Sequence, residues 1–266
     1  MNKKIQIHKR DLISGLQKGL GLLQLFSATV PRMTVPQAAL LADMSHSAAR
    51  RFLLTLVHDG YAETDGRNYW LTAKTLGIAQ AYVDSAKLPK VVRPVADHVA
   101  RVTQEHTSIA VRDGNHMVFI ARSRNSHLSS TTIRVGARLP MYCTASGRLL
   151  LATLAHDKLD QYFVDVKLES VTPYTKTLVD EVKYEVRRAA AQGYCIVNEE
   201  LEIGMRVMAV PLRNREFRFS GALCLTTHVS HVSEAEMISR YLPVLYEAQA
   251  LLQPILEAEV LEWSAP

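Results

Sequence analysis

The stretch TVPQAALLADMSHSAARRFLLTLVHDGYAETDGRNYWL, Thr34 to Leu71, decides how this chain is read. It spells two short helices joined by a tight turn, followed by a small β-hairpin. Thr34 is an N-cap ahead of Val35-Pro36, with the proline in the first helical turn, where its missing N–H costs least. Ala38, Leu41 and Ala42 follow at helical spacing, and Asp43-Met44 breaks the run. Ser45 caps a second helix whose Ala49, Phe52, Leu53, Leu56 and Val57 form one apolar stripe. Gly60 stands where a helix C-cap belongs. Tyr61 to Thr64 and Asn68 to Leu71 are β-compatible runs around Asp65-Gly66, a strong hairpin signal. Helix, turn, helix and hairpin come in the order of a winged helix-turn-helix, a DNA-reading module.

The polar face of the second helix carries the reading chemistry. Ser45, His46, Ser47, Arg50 and Arg51 occupy its start and first turns, the part that enters a major groove, and Thr55 follows one turn on. Arginine pairs bidentately with guanine or neutralises a phosphate; serine and histidine bond base edges or backbone. Arg67, at the hairpin tip, is placed as a wing cation. Two adjacent arginines alone would suit a solvated helix face equally well; the module around them favours DNA. Charge agrees. Residues 1–90 hold 12 Lys+Arg against 6 Asp+Glu, and with 31 against 26 in the whole chain the remainder carries 19 against 20. The basic excess therefore lies in the first third, the footprint of a nucleic-acid domain joined to a near-neutral one.

At 266 residues the chain is too long for one such module and fits two domains. The expected division is a flexible arm over 1–13, the winged helix-turn-helix over 14–72, a linker helix over 73–90 and a second domain over 91–266. No apolar run approaches the ~20 residues that cross a bilayer, and MNKKIQIHKR lacks the apolar stretch of a signal peptide. Cys143, Cys195 and Cys224 form neither a metal-ligand spacing nor a disulfide framework, so a reducing cytoplasm is the expected setting, with no metal and no cofactor.

Outside the opening stretch, Leu16, Leu20, Leu23 and Phe26 repeat at helical spacing, predicting a first helix over Ser14 to Phe26 that packs beneath the other two. Thr72 to Ala86 reads as the linker helix, the natural carrier of a signal between domains. In the second domain the pattern predicts helices over Val91–Glu105, Thr144–Leu154, Asp157–Phe163, Val179–Gln192 and Ser233–Leu252, with Pro254 ending or kinking the last. Strands are expected at Thr107–Arg112 and Met117–Arg122 around Asp113-Gly114-Asn115, at Thr131–Val135, Tyr194–Asn198, Arg206–Leu212 and Gly221–Thr227. Arg124 to Ser130 reads as loop. Helices flanking a mostly antiparallel sheet make this an α+β sensor domain.

This arrangement resembles the IclR family of bacterial transcriptional regulators. The resemblance is carried by SGLQKGLGLL at Ser14–Leu23, AARRFLLTLVHDGY at Ala48–Tyr61, RNYWLT at Arg67–Thr72 and RLPMYCTASGRLLLA at Arg138–Ala152. QGY at Gln192–Tyr194, EELEIGMR at Glu199–Arg206 and AVPL at Ala209–Leu212 extend it from about residue 13 to 252. AARR in the second helix and PRMT before it look like the branch that controls aromatic-acid catabolism through the β-ketoadipate pathway, where regulators of protocatechuate and 4-hydroxybenzoate genes belong. The resemblance implies a winged helix, a linker helix and a GAF-like domain that binds a small organic acid, assembled as dimers or dimers of dimers. It implies effector contacts from Tyr142, Cys143, Thr144, Ala145 and Ser146, and from Val197, Val207, Cys224 and Thr226. Positions that can be Asp and Cys in small-acid binders are Val197 and Val207 here, which suits a larger or aromatic acid. The Thr-Ala-Ser-Gly run opening a helix is itself a plausible anion site. For the cation facing a carboxylate, Arg206 is the first candidate and Arg134 the second.

Enzymatic readings find little support. GxSxG, HExxH, a Walker loop and GxGxxG are all absent, and GLGLL at Gly19–Leu23 lies inside an amphipathic helix. His228 and His231 in loop-like sequence are a poor zinc pair. Cys143 without a neighbouring histidine reads as a buried small residue rather than a nucleophile. A ligand-free architectural DNA binder would not require a second domain of this size. The alternatives kept open are a related regulator of a different small acid and a ligand-independent DNA-binding protein.

Overall fold

The computed structural model describes residues 7–27, 29–123, 134–213 and 220–259. The chain divides into two compact units, Met1–Ser85 and Ala86–Pro266.

In the first unit, α1 (Ser14–Gln24), α2 (Val35–Leu41) and α3 (His46–His58) precede a three-stranded antiparallel sheet in the order β1 (Met33–Thr34), β3 (Asn68–Leu71), β2 (Ala62–Thr64). Each boundary has a local cause. Thr34 and Gln37 form a reciprocal capping box, the Gln37 Oε1 accepting the Thr34 N–H at 2.8 Å. Ser45 Oγ accepts the Ala48 N–H at 3.2 Å and starts α3. The left-handed Gly60 (φ 76°) ends it, and Lys74 Nζ donates to the Asp59 carbonyl at 2.7 Å. Asp65 builds the wing turn by accepting the N–H groups of Arg67 and Asn68 at 2.9 and 2.7 Å. Those bonds hold its carboxyl down at about 2.

Two expected faces are rotated. In α1 the buried residue is Leu22, with Leu23 and Phe26 half-buried, whereas Leu16 and Leu20 are exposed. The half-buried Gly19 lies beside the Phe52 ring, at a distance where an added Cβ would make an ordinary contact of 3.8 Å. In α2 the inward pair is Ala38 and Ala39, and Leu40 and Leu41 face out. In α2 small residues take the core side, where they allow closer packing. The 3-10 turn Ala73–Thr75 and α4 (Leu76–Ser85) follow, and α4 groups with the first unit. Lys9–Asp11, in the expected arm, form an exposed 3-10 turn.

The second unit opens with α5 (Lys87–Thr103). Its sheet runs in the order β6 (Arg138–Pro140), β5 (His116–Arg122), β4 (His106–Asp113), β9 (Ser220–His228), β8 (Met205–Arg213), β7 (Cys195–Asn198), every pair antiparallel. One face packs on α5 and the terminal helix through Val92, Ala96, Val99, Leu245 and Leu252 against Ile109, Leu223 and Val210. The other face is covered by α6 (Ala145–Leu151), α7 (His156–Asp165) and α8 (Val179–Gln192) through Leu149, Leu150, Tyr162, Val182 and Val186. Gly193 (φ 78°) ends α8 as the spacing predicts.

Three departures have physical reasons. The terminal helix begins at Glu234–Glu236 (α9), passes through a π turn at Met237–Tyr241, and as α10 (Leu242–Glu259) continues through Pro254. Proline there leaves one carbonyl unpaired, that of the exposed Ala250, while Leu252 and Leu256 on either side are buried and anchor the helix. β6 begins at Arg138, three residues past the end of the expected strand; Arg134 and Val135 are not in a strand, and Thr131–Ile133, like the Arg124–Ser130 loop, lie outside the described residues. α6 is shorter than expected at both ends: Thr144 is its cap rather than its first residue, and it closes at Leu151 with Ala152 as C-cap.

Thr34→Ala removes half of the capping box and should cost about 1 kcal/mol, read as a lowered urea midpoint.

Candidate functional site

In the first unit, Ser45, His46, Ser47, Arg50, Arg51 and Thr55 are all exposed along α3, opposite the buried Ala49 and Leu53. Helical spacing places Ser47, Arg50, Arg51 and Leu54 on one solvent face. Thr55 Oγ1 is turned back onto the Arg51 carbonyl at 2.9 Å, so it is the least available of the set. Arg67 stands exposed on the wing turn that Asp65 shapes. Among the described residues, no ion pair engages Arg50, Arg51 or Arg67, leaving three cations free to meet phosphate or base. Arg32, not anticipated from the sequence, stacks on Trp70 at 4.4 Å and braces the wing, and Trp70 Nε1 donates to Glu63 at 3.1 Å.

The second unit encloses a cavity between its sheet and the start of α6. Cys143, Thr144, Ala145 and Ser146 form one wall; Val197, Val207, Cys224 and Thr226 project from β7, β8 and β9 to form the floor. These are residues the resemblance nominated, brought together from three distant segments. The space between the walls, mouth included, is about 490 Å³, but the lumen itself is only about 40 Å³. Sequence reasoning missed the rest of the lining. Met117, Phe119 and Leu139 come from β5 and β6, Glu199, Glu200, Leu201 and Glu202 from the β7–β8 turn, and Met205 from the start of β8. The alternation of Met117 and Phe119 along β5 was the available signal for the first group.

Three nominated residues lie elsewhere. Tyr142 does not line the cavity; its hydroxyl donates to the Glu169 carbonyl at 2.7 Å and accepts the Glu169 N–H at 3.1 Å. Arg206 alternates with the cavity-lining Met205 and Val207, so it projects from the opposite face of β8. There its Nε bonds Asn198 Oδ1 and its Nη1 bonds the Val232 carbonyl. Arg134 is exposed and is not among the lining residues.

The cation beside the cavity is instead Arg148, 1% exposed inside α6. Its Nε donates to the Tyr142 carbonyl at 2.9 Å and its Nη2 to Glu200 Oε2 at 2.7 Å. Glu200 also accepts the Lys176 N–H at 3.1 Å, while Lys176 Nζ lies 3.6 Å from Glu200 and 3.4 Å from Glu185. Thr172 and Thr175 hydroxyls donate to the carbonyls of Glu199 and Glu200, each at 2.6 Å. This network fastens the glutamate-rich turn over the cavity. A charge among the leucines of α6 was the only sequence signal for it.

Thr144 and Ser146 on the wall are hydrogen-bonded within the domain. Thr144 Oγ1 donates to the Pro140 carbonyl at 2.9 Å and accepts the Gly147 N–H at 3.2 Å, capping α6. Gly147 is required there, because a Cβ would run into the Met141 backbone. Ser146 Oγ reaches Met117 Sδ at 2.7 Å. Burial, then the nearby Glu200, pushes the Cys143 thiol up to about 12, and burial does the same to Cys224. Both stay protonated, which removes them as nucleophiles.

Residues 80–251 match the family described as bacterial transcriptional regulator IclR C-terminal, and residues 15–66 match the IclR helix-turn-helix domain. The chain belongs to the IclR family. Among its relatives is the Pca regulon regulatory protein of Pseudomonas putida, 34% identical over 239 residues that span 90% of this chain and 82% of that protein. The p-hydroxybenzoate hydroxylase transcriptional activator of Acinetobacter baylyi (strain ATCC 33305 / BD413 / ADP1) is 35% identical over 247 residues, 90% of each chain. The inducer binding domain of the PobR transcription factor from Acinetobacter, solved as a double mutant in complex with 3-hydroxybenzoic acid, superposes with a TM-score of 0.60. It is 28% identical and covers 63% of this chain and 98% of its own. The chain is thus a DNA-binding transcriptional regulator of the IclR type, with an N-terminal reading module and a C-terminal effector domain.

Removing one partner of the Arg148–Glu200 pair strands a buried charge. Glu200→Ala should therefore cost ~3–5 kcal/mol in chemical denaturation, and the double replacement Arg148→Met with Glu200→Leu less than either single change.

Proposed function

We propose that this IclR-family regulator senses an aromatic acid and controls genes for its breakdown. The observation that carries the reading is the cavity under α6. It is lined by Met117, Phe119, Leu139, Met205 and Val207, apolar surfaces suited to a ring, with hydroxyls from Thr144, Ser146 and Thr226 among them. The relatives named for Pca genes and for p-hydroxybenzoate hydroxylase support the same ligand class. With a lumen of about 40 Å³, room for a few waters, a ring must part the walls as it enters. Ligand binding and a shift of the β7–β8 turn would then be one event, which is what a sensor requires.

On the DNA side, Arg50 and Arg51 with Ser45, His46 and Ser47 read the operator, Thr55 lies at the edge of that face, and Arg67 holds the backbone. The protein works as a dimer or a dimer of dimers in the cytoplasm. Exposed Leu16 and Leu20 on α1 and Leu76, Ile78 and Tyr82 on α4 supply apolar surface for such pairing. An operator with two-fold symmetry follows from a dimer.

Fluorescence anisotropy on the DNA upstream of the gene, with and without protocatechuate, 4-hydroxybenzoate and β-ketoadipate, tests both halves. Binding that changes with one acid supports the reading, and binding indifferent to all three removes the aromatic-acid assignment. The effective acid at 100 times its Kd should stabilise the fold by about 2.7 kcal/mol. Arg50→Ala should cost ~1–3 kcal/mol and relax specificity at one base pair, whereas Arg67→Ala should weaken all sequences alike and reduce the salt slope by about 1.

A further inference from the structure

One side chain on the DNA-reading helix is chemically unlike its neighbours. Leu54 of α3 is 37% exposed, and every other exposed residue of that helix is polar or charged. It does not serve the core, which takes Ala49 and Leu53 from the other side of the helix. At about 100° per residue, Leu54 falls between Arg50 and Arg51 around the axis, roughly 40° from one and 60° from the other. Ser47, two turns earlier, lies about 20° away in the same projection. Wherever the two arginines go, Leu54 goes between them.

A major groove offers little to a leucine. Its walls are phosphates, and its floor carries hydrogen-bond donors and acceptors that lose water against an apolar side chain. The exception is the C5-methyl of thymine, the one apolar group on the major-groove edges of the four bases. Placing Leu54 against it withdraws two apolar surfaces from water together. Spacing also limits where that methyl lies. Arg50 and Leu54 are four residues apart, about 6 Å along the helix axis. Base pairs repeat every ~3.4 Å, so with the reach of both side chains the two contacts fall within about three base pairs.

We infer that Leu54 is a specificity-determining residue that meets a thymine methyl in the operator, close to the base pair read by Arg50. This rests on the DNA-reading assignment of α3 above and narrows it. The arginines select by hydrogen bonds or charge. Leu54 separates thymine from cytosine, which lacks the methyl and whose N4 donor a leucine leaves unmatched.

Footprinting on the DNA upstream of the gene gives the protected site, and duplexes of that site with each thymine replaced singly by deoxyuridine test the assignment. Each replacement removes one methyl and keeps the base-pairing hydrogen bonds. Fluorescence anisotropy with the full chain should find one replacement, within about three base pairs of the pair at which Arg50→Ala relaxes specificity, that weakens binding about 4-fold. Leu54→Ala should weaken the thymine duplex by a similar factor and be indifferent to that replacement, whereas Leu54→Met should keep the sensitivity. The deoxyuridine arm changes the DNA alone, so it stands even where a variant folds poorly, and thermal unfolding checks the variants. A parent protein indifferent to every replacement, or sensitive only at a distant one, overturns the Leu54 assignment alone where Arg50→Ala still relaxes one base pair. Leu54→Ala that weakens all duplexes alike with the sensitivity intact marks a contact between copies of the chain and overturns it too. If Arg50→Ala and Arg51→Ala both bind like the parent, the reading face falls with it.

Discussion

The effector domain is organised around one buried ion pair, Arg148 with Glu200. The guanidinium reaches the Tyr142 carbonyl on one side and the Glu200 carboxylate on the other, so it ties the loop before α6 to the turn between β7 and β8. Lys176 and the hydroxyls of Thr172 and Thr175 fasten a third segment to the same turn. Without these links the α6 wall and the glutamate turn have nothing in common but the sheet beneath them. A buried pair of this kind adds little net stability over apolar residues of the same volume. Its consequence is positional: it fixes which residues face the cavity, and it neutralises the glutamate that would otherwise stand there as a bare charge.

That placement bears on sensing. The turn that closes the slim cavity hangs on a few charge-assisted bonds. The same glutamates that close the cavity make one end hostile to a carboxylate.

Much of this architecture could be read from residues in order. Caps, turns and periodicities within the winged helix-turn-helix act over three or four residues, so Thr34, Ser45, Gly60 and Asp65 announce their roles directly. The same holds for the boundaries of α8 and the hairpin of β4 and β5. Face assignments were less legible. Leu16 and Leu20 in α1, and Leu41 in α2, looked inward by hydrophobicity, but Leu22 in α1 and Ala38 and Ala39 in α2 took the core side. Pro254 looked like a stop, yet burial of Leu252 and Leu256 outweighs the one hydrogen bond it removes.

The cavity divides along the same line. Its α6 wall and the alternating residues of β7, β8 and β9 were nominated through the family resemblance, whereas Arg206, favoured as the carboxylate partner, is turned away by strand alternation and bonded at the far face. Arg148 gave no local sign of its surroundings. By itself the sequence determined the DNA-reading module, the two-part organisation and the order of helices and strands, because those follow from short-range backbone preferences and hydrophobic period. Only the tertiary structure decided which polar side chains share the effector cavity, because strand register and a contact between residues 148 and 200 bring them together across distances in the chain that no local pattern spans.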